Sequence, residues 1–162
     1  MIENDVAKIL IERGLTIATT ESCTGGLLSS KLTDVSGSSA FVHLNFVTYS
    51  NEAKMRILGV RKETLDNFGA VSEECSYEMA KGLHDVTGAD ICVSTTGIAG
   101  PTGGTEEKPV GLMYSTILYN NRFLTFEVLL SPDTPRVEMK KQFVEAVLKK
   151  LYDMLNVENL CC

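Results

Sequence analysis

The chain has 162 residues, 44% of them hydrophobic and 22% charged, with a formal net charge of −6. That length suits one domain, spanning 1–162, with a core large enough to fold alone; the composition excludes a disordered or fibrous chain. No apolar run reaches the roughly 18 residues that a bilayer span needs, and no Lys/Arg cluster offers a face to phosphates. Neither a membrane nor a nucleic acid is therefore expected as a partner.

Ile2, Val6, Ile9 and Leu10 mark one face of an opening helix that Gly14 can end. Glu3, Asp5 and Glu12 within it argue against a signal peptide, so a cytoplasmic location is expected. Residues 15–20 form a short β-prone run. Gly25 and Gly26 then give way to a helical stripe of Leu27, Leu28, Leu32 and Val35 that ends at Gly37. Residues 41–49 are aromatic and β-branched enough for a strand. Ser50 or Asn51 can cap a short helix running to Leu58 and stopped by Gly59. Ser72 opens a further helix, with Glu73 and Glu74 at its positive end and a buried face of Cys75, Met79, Leu83 and Val86.

Residues 91–95 make the next strand, which runs into a glycine-rich stretch from Gly97 to Gly111. Residues 112–119 and 122–130 read as a hairpin turning on Asn120 and Asn121, two residues that tolerate positive φ. Thr134 as cap and Pro135 at the first helical position introduce a last helix striped by Val144, Val147, Leu148, Leu151 and Leu155. Five strands alternating with about five helices predict an α/β domain. The hairpin adds antiparallel strands, so the sheet is expected to be mixed, with helices on both faces.

The five cysteines, Cys23, Cys75, Cys92, Cys161 and Cys162, show no zinc-type spacing and read as reduced thiols, the last two in a frayed tail. The two histidines, His43 and His84, lack ligand spacing, and no metal is expected.

In α/β sheets ligands bind beyond the carboxyl ends of strands, which selects three segments. The first is Thr20-Glu21-Ser22-Cys23-Thr24-Gly25-Gly26, where Ser22 would be exposed at a strand-to-helix turn. Free N–H groups at the helix start could hold an oxyanion or a phosphate, while Ser22 or Thr24 could equally be a simple cap. The run is neither a Walker loop nor a Gly-x-Ser-x-Gly elbow. The second segment ends in Lys54, on the first turn or two of a helix, where burial and the helix field would both lower its pKa. A solvated surface lysine is the alternative. The third is the stretch from Gly97 to Gly111, long enough to be functional or to be a structural connection. Neither histidine falls in these segments, so a serine–lysine pair is the way left to activate a hydroxyl. Cys23 as a thiolate nucleophile at the helix start is the rival.

These residues resemble the CinA C-terminal domain family, the nicotinamide-nucleotide amidohydrolases. The matching blocks are residues 20–26, Gly37-Ser38-Ser39-Ala40-Phe41, residues 46–54, Leu58-Gly59-Val60, Gly69-Ala70-Val71-Ser72, and residues 96–101 with 103–111. The resemblance implies a three-layer α/β/α sandwich around a mixed five-stranded sheet. It also implies hydrolysis of the carboxamide of nicotinamide mononucleotide to nicotinate mononucleotide and ammonia, without cofactor. Carried over by residue, Ser22 is the nucleophile, Lys54 the proton-handling partner and Tyr49 its neighbour. Thr24, Gly25 and Gly26 are expected at the oxyanion, and Gly97, Ala99, Gly100, Gly103, Gly104 and Arg136 at the ribose-phosphate end. Longer members carry a further N-terminal domain, so this chain is expected to be the stand-alone form. Exposed β edges lead to the expectation of a homo-oligomer. Thr20 stands where the resemblance has alanine, and Lys140 and Lys141 where arginines are frequent, which touches substrate affinity more than chemistry. The reading from another class is a non-catalytic nucleotide-binding or competence-associated module.

Overall fold

Glycines in the left-handed region punctuate the chain: Gly14 (φ 63°), Gly59 (φ 69°) and Gly88 (φ 65°) each end a helix, a conformation that an L side chain resists. The computed structural model describes residues 1–157. Between the stops lie α1 (Ile2–Arg13), β1 (Ile17–Glu21), α2 (Leu27–Thr33), β2 (Val42–Val47), α3 (Asn51–Leu58), α4 (Lys62–Phe68) and α5 (Glu73–Thr87). They are followed by β3 (Ile91–Gly97), β4 (Leu112–Tyr119), β5 (Arg122–Leu129) and α6 (Arg136–Val157). Cys161 and Cys162, read as a frayed tail, lie outside the described residues.

The five strands form one mixed sheet in the order β2-β1-β3-β4-β5. β1 runs parallel to β2 and β3, while β4 is antiparallel to both β3 and β5. Asn120 (φ 52°) and Asn121 (φ 59°) make the β4–β5 turn with the two positive φ angles that a two-residue hairpin requires. Alternate strand residues point to opposite faces, and each face has its own core. Ile17, Val93 and Ile117 pack with Val6, Leu10, Leu32, Phe143 and Leu151 of α1, α2 and α6. Ala18, Cys92 and Leu118 pack with Leu58, Leu65, Met79 and Leu83 of α3, α4 and α5. This is the expected three-layer arrangement.

Four local expectations are corrected. The helix α4 was not anticipated, because only Thr64 and Leu65 of its seven residues are buried and the apolar signal is short. The helix α2 stops at Thr33, so Val35 lies beyond it, and Gly37 (φ 87°) leads a 3₁₀ turn over Ser38–Ala40. Val86 is 50% exposed: it lies on the same face as Cys75, Met79 and Leu83 but in the last turn of α5, next to the Gly88 stop. Pro135 lies just before α6, its carbonyl accepting from the Met139 N–H at 2.8 Å.

The strand order decides where a ligand can sit. From β1 the chain crosses to β2 on one side, then returns to β3 on the other. Connections therefore leave β1 and β3 in opposite directions, opening a crevice at their carboxyl ends. Ser22 follows one of those ends and Gly97 closes the other.

Candidate active site

The turn after β1 is closed by its own backbone. The Ser22 N–H donates to Thr95 O on β3 at 3.0 Å, and the Gly25 N–H returns to Ser22 O at 3.1 Å. Gly25 (φ 60°) and Gly26 (φ 99°) carry the chain through the left-handed region into α2. The cap of α2 is neither Ser22 nor Thr24. Glu21 Oε1 accepts from the Leu28 N–H at 2.8 Å and Oε2 from the Ser29 N–H at 3.0 Å, while Thr24 Oγ1 donates to Oε1 at 2.6 Å. Ser22 is left without a capping role.

A second segment converges on Ser22. Ser50 caps α3 by accepting from the Ala53 N–H at 3.0 Å, which places Lys54 at the end of the first turn with its side chain inward. Lys54 is 1% exposed. Its Nζ donates to Thr48 O at 2.8 Å and to Tyr49 O at 3.0 Å, and lies 3.0 Å from Ser22 Oγ. No carboxylate pairs with this amine among the described residues. Burial is the main reason its pKa lies below the ordinary lysine value, because water no longer solvates the ammonium form. Two accepting carbonyls fix two of the amine hydrogens, so in the neutral form the lone pair is directed at Ser22 Oγ.

The approach of α3 depends on Gly82 in α5. A Cβ there would run into the Leu58 backbone, so only glycine lets the two helices close to this distance. Thr20 adds a further brace: its Oγ1 lies 2.8 Å from Thr48 Oγ1, beside the carbonyl that holds Lys54. The alanine implied by the resemblance could not make that contact.

A cavity of about 290 Å³ opens over the pair, and Ser22, Tyr49, Lys54, Gly97, Ala99, Gly100, Gly103 and Arg136 are among the residues lining it. Arg136 Nη1 donates to Gly100 O at 2.7 Å and Nη2 to the Tyr49 hydroxyl at 3.2 Å, tying α6, the glycine-rich stretch and the end of β2 together. The Tyr49 ring is 59% exposed, and its hydroxyl meets Arg136; the backbone carbonyl of Tyr49 is the atom that faces Lys54 and Ser22. Thr24, Gly25, Gly26 and Gly104 are not in the lining. Thr24 is turned inward onto Glu21 and Thr95, and Gly104 packs its backbone close to Val110. Lys140 Nζ hangs over Gly25, 3.4 Å from where a Cβ would be, and Lys141 lies in a separate groove with Glu3.

Cys23 also lines the cavity, yet its thiol is 5% exposed and pushed up to about 12, first by burial and then by the Glu21 charge. A thiol so held is not a ready nucleophile. Cys75 and Cys92 are free and buried, as small hydrophobes. His43 is exposed on β2, and His84 faces Ala89 O at 3.1 Å; neither reaches the cavity. A larger groove of about 710 Å³ runs along α5 past Arg61, Glu74 and Glu78, and holds no nucleophile beside a base. Among the described residues no cluster of three or more His, Cys, Asp or Glu could hold a metal, and no helix is long and apolar enough to cross a membrane.

The sequence singled out Ser22 and Lys54 but overlooked what braces them. Thr48 and Tyr49 act through backbone carbonyls, which leave no side-chain signature. Glu21 did leave one: a helix whose cap position is glycine needs an acceptor from elsewhere.

Comparison with known proteins follows the same lines. A family model described as CinA C-terminal domain matches residues 1–155. A CinA-like protein of Chloroherpeton thalassium is 48% identical over 157 residues, covering 96% of this chain and 37% of its own length. The chain thus spans about a third of such curated relatives. Among solved structures, a CinA superfamily protein of Klebsiella pneumoniae superposes with a TM-score of 0.91 at 35% identity, covering 96% of both chains. The competence/damage inducible protein CihA of Agrobacterium tumefaciens gives 0.89 at 43% identity, covering 96% of this chain and 95% of its own.

Proposed function

The chain belongs to the CinA C-terminal domain family, and from that premise we propose that it is an amidohydrolase that deamidates nicotinamide mononucleotide. The observation that carries this reading is the buried Lys54 amine, paired with no carboxylate among the described residues, 3.0 Å from Ser22 Oγ. A hydroxyl is a poor nucleophile until a base takes its proton, and a desolvated lysine is such a base.

Neutral Lys54 removes the Ser22 proton as Oγ attacks the carboxamide carbon. The resulting ammonium is held by the Thr48 and Tyr49 carbonyls, so the charge that burial opposes is tolerated while the tetrahedral intermediate lives. The oxyanion is met by a backbone N–H of the turn at the cavity wall, that of Cys23; the Ser22 N–H is committed to Thr95 O and that of Gly25 to Ser22 O. Lys54 returns its proton to the leaving nitrogen, and ammonia departs. Water then attacks the ester as Lys54 takes its proton, and Lys54 returns that proton to Ser22 Oγ as the acid departs, restoring the hydroxyl and the neutral amine. One amide and one water give one acid and one ammonia.

Arg136 and the segment from Gly97 to Gly103 suit the ribose-phosphate end. A guanidinium that lines the cavity, anchored on Gly100 O and the Tyr49 hydroxyl, carries further N–H groups of the kind that bind phosphate. The test is incubation of the pure chain with nicotinamide mononucleotide, reading ammonia and nicotinate mononucleotide together. Equimolar formation of both is expected. Saturable binding by calorimetry with neither product would replace this reading by the non-catalytic nucleotide-binding one.

A further inference from the structure

Glu21 is fully buried, and no lysine, arginine or histidine pairs with it among the described residues. A carboxyl group taken out of water needs its oxygens satisfied, and here four donors supply them. Oε1 accepts from Thr24 Oγ1 at 2.6 Å and from the Leu28 N–H at 2.8 Å. Oε2 accepts from the Ser29 hydroxyl at 2.7 Å and from the Ser29 N–H at 3.0 Å. Leu28 and Ser29 are the second and third residues of α2, whose own cap residue, Gly26, has no side chain to offer. Their N–H groups are the donors that a capping side chain ordinarily satisfies. The cap therefore comes from the last residue of β1, on the far side of the turn that carries Ser22.

The consequence is geometric. A turn with two left-handed glycines is intrinsically loose, and Glu21 clamps it at both ends and, through Thr24, in the middle. Thr24 Oγ1 lies 2.8 Å from Thr95 Oγ1, so the clamp is also bolted to β3. On the other side, the Glu21 carbonyl accepts from the Thr48 N–H at 2.9 Å, and the next atoms along, the Thr48 and Tyr49 carbonyls, hold Lys54. One residue thus ties the Ser22 turn by its side chain and the Lys54 cradle by its main chain.

We infer that Glu21 is a positioning residue for the reaction: its buried carboxylate, by capping α2 across the turn, holds Ser22 Oγ in register with Lys54 Nζ. The inference rests on the reading of Ser22 as the attacking group. Glutamine at this position keeps the shape but offers an NH₂ where Ser29 needs an acceptor, so the clamp opens on one side. A displacement of about an ångström at a reacting atom costs on the order of 10²-fold in rate.

The experiment compares Glu21→Gln and Glu21→Ala with the unmodified chain. Three readouts are taken: steady-state turnover of nicotinamide mononucleotide, thermal melting, and the rate at which a fluorophosphonate labels Ser22, followed by mass spectrometry. The label reports the reactivity of Ser22 whatever the natural substrate is. For Glu21→Gln the expected result is a fall of roughly 10²-fold in kcat per folded molecule and in labelling rate. KM should change little, and the pH limb due to Lys54 should stay in place. Rapid labelling and wild-type kcat per folded molecule in Glu21→Gln would overturn the inference and leave Glu21 a stability residue only. If the unmodified chain is labelled at Ser22 but releases no ammonia, the substrate reading fails while the labelling comparison still decides the role of Glu21. If Ser22 is not labelled even in the unmodified chain, both fail together.

Discussion

Replacing Lys54 with methionine separates activity from stability by their pH dependence. The variant keeps the length and apolar stem of the side chain and removes only the amine, with its contacts to Ser22, Thr48 and Tyr49. Loss of a positioned base lowers rate by about 10²- to 10⁴-fold, which is roughly 3–5 kcal/mol of barrier. Two effects compete in the folded state. The buried Thr48 carbonyl loses its donor, a cost of about 1–3 kcal/mol, with less for the half-exposed Tyr49 carbonyl. Against this, a desolvated amine is removed. Because the folded pKa of Lys54 is lowered, the unfolded chain binds the proton more readily than the native one. Above the ordinary lysine value of 10.5 both states are neutral and the amine carries no penalty; as pH falls below it, the penalty grows until the folded pKa is passed. Urea unfolding at pH 10.5 and at pH 7 therefore tests the reasoning. The stability of Lys54→Met relative to the unmodified chain should be higher at pH 7 than at pH 10.5, while ammonia release collapses at both. A difference independent of pH, or activity within tenfold of the unmodified chain, would refute it.

The same titration shapes the rate profile. Since Lys54 must be neutral to take the Ser22 proton, kcat/KM should rise with pH along a single limb whose midpoint lies below the usual lysine range; a flat acid side would rule the base out. Gly82→Ala forces Leu58 and α3 away from α5, so melting temperature and kcat should both drop, and an unchanged kcat would show that Lys54 does not depend on that close approach. Arg136→Lys keeps the charge but loses the fork joining Gly100 O and the Tyr49 hydroxyl. It should raise KM for the mononucleotide much more than KM for the phosphate-free riboside; equal effects would remove Arg136 from the phosphate end.

The layers were legible because burial writes periodicity into sequence. The i, i+4 rows of α6 and α5, the Asn120-Asn121 turn and the glycines after α1 and α3 all say where elements stop and which face is covered. What stayed hidden has physical causes. The seven residues of α4 bury too little to show a stripe. Val86 continued the apolar pattern one turn beyond the surface available to cover it. At the site, residue types alone could not separate a capping serine from a reactive one. The structure removes the ambiguity by giving the cap to Glu21, seven and eight residues from the N–H groups that donate to it. The pairing of Lys54 with Ser22 spans 32 positions, and no local pattern encodes it. The sulfur of Cys23 looked as well placed as the neighbouring oxygen, because sequence does not show which of two adjacent side chains meets the Lys54 amine and which is held as a buried thiol.

That last distinction gives the most direct measurement. Ammonia release from nicotinamide mononucleotide should be followed for the unmodified chain, Ser22→Ala and Cys23→Ala, each confirmed folded by melting. The account predicts product from the unmodified chain, none above background from Ser22→Ala, and most of the activity retained in Cys23→Ala. Loss confined to Cys23→Ala, with Ser22→Ala still active, would contradict it.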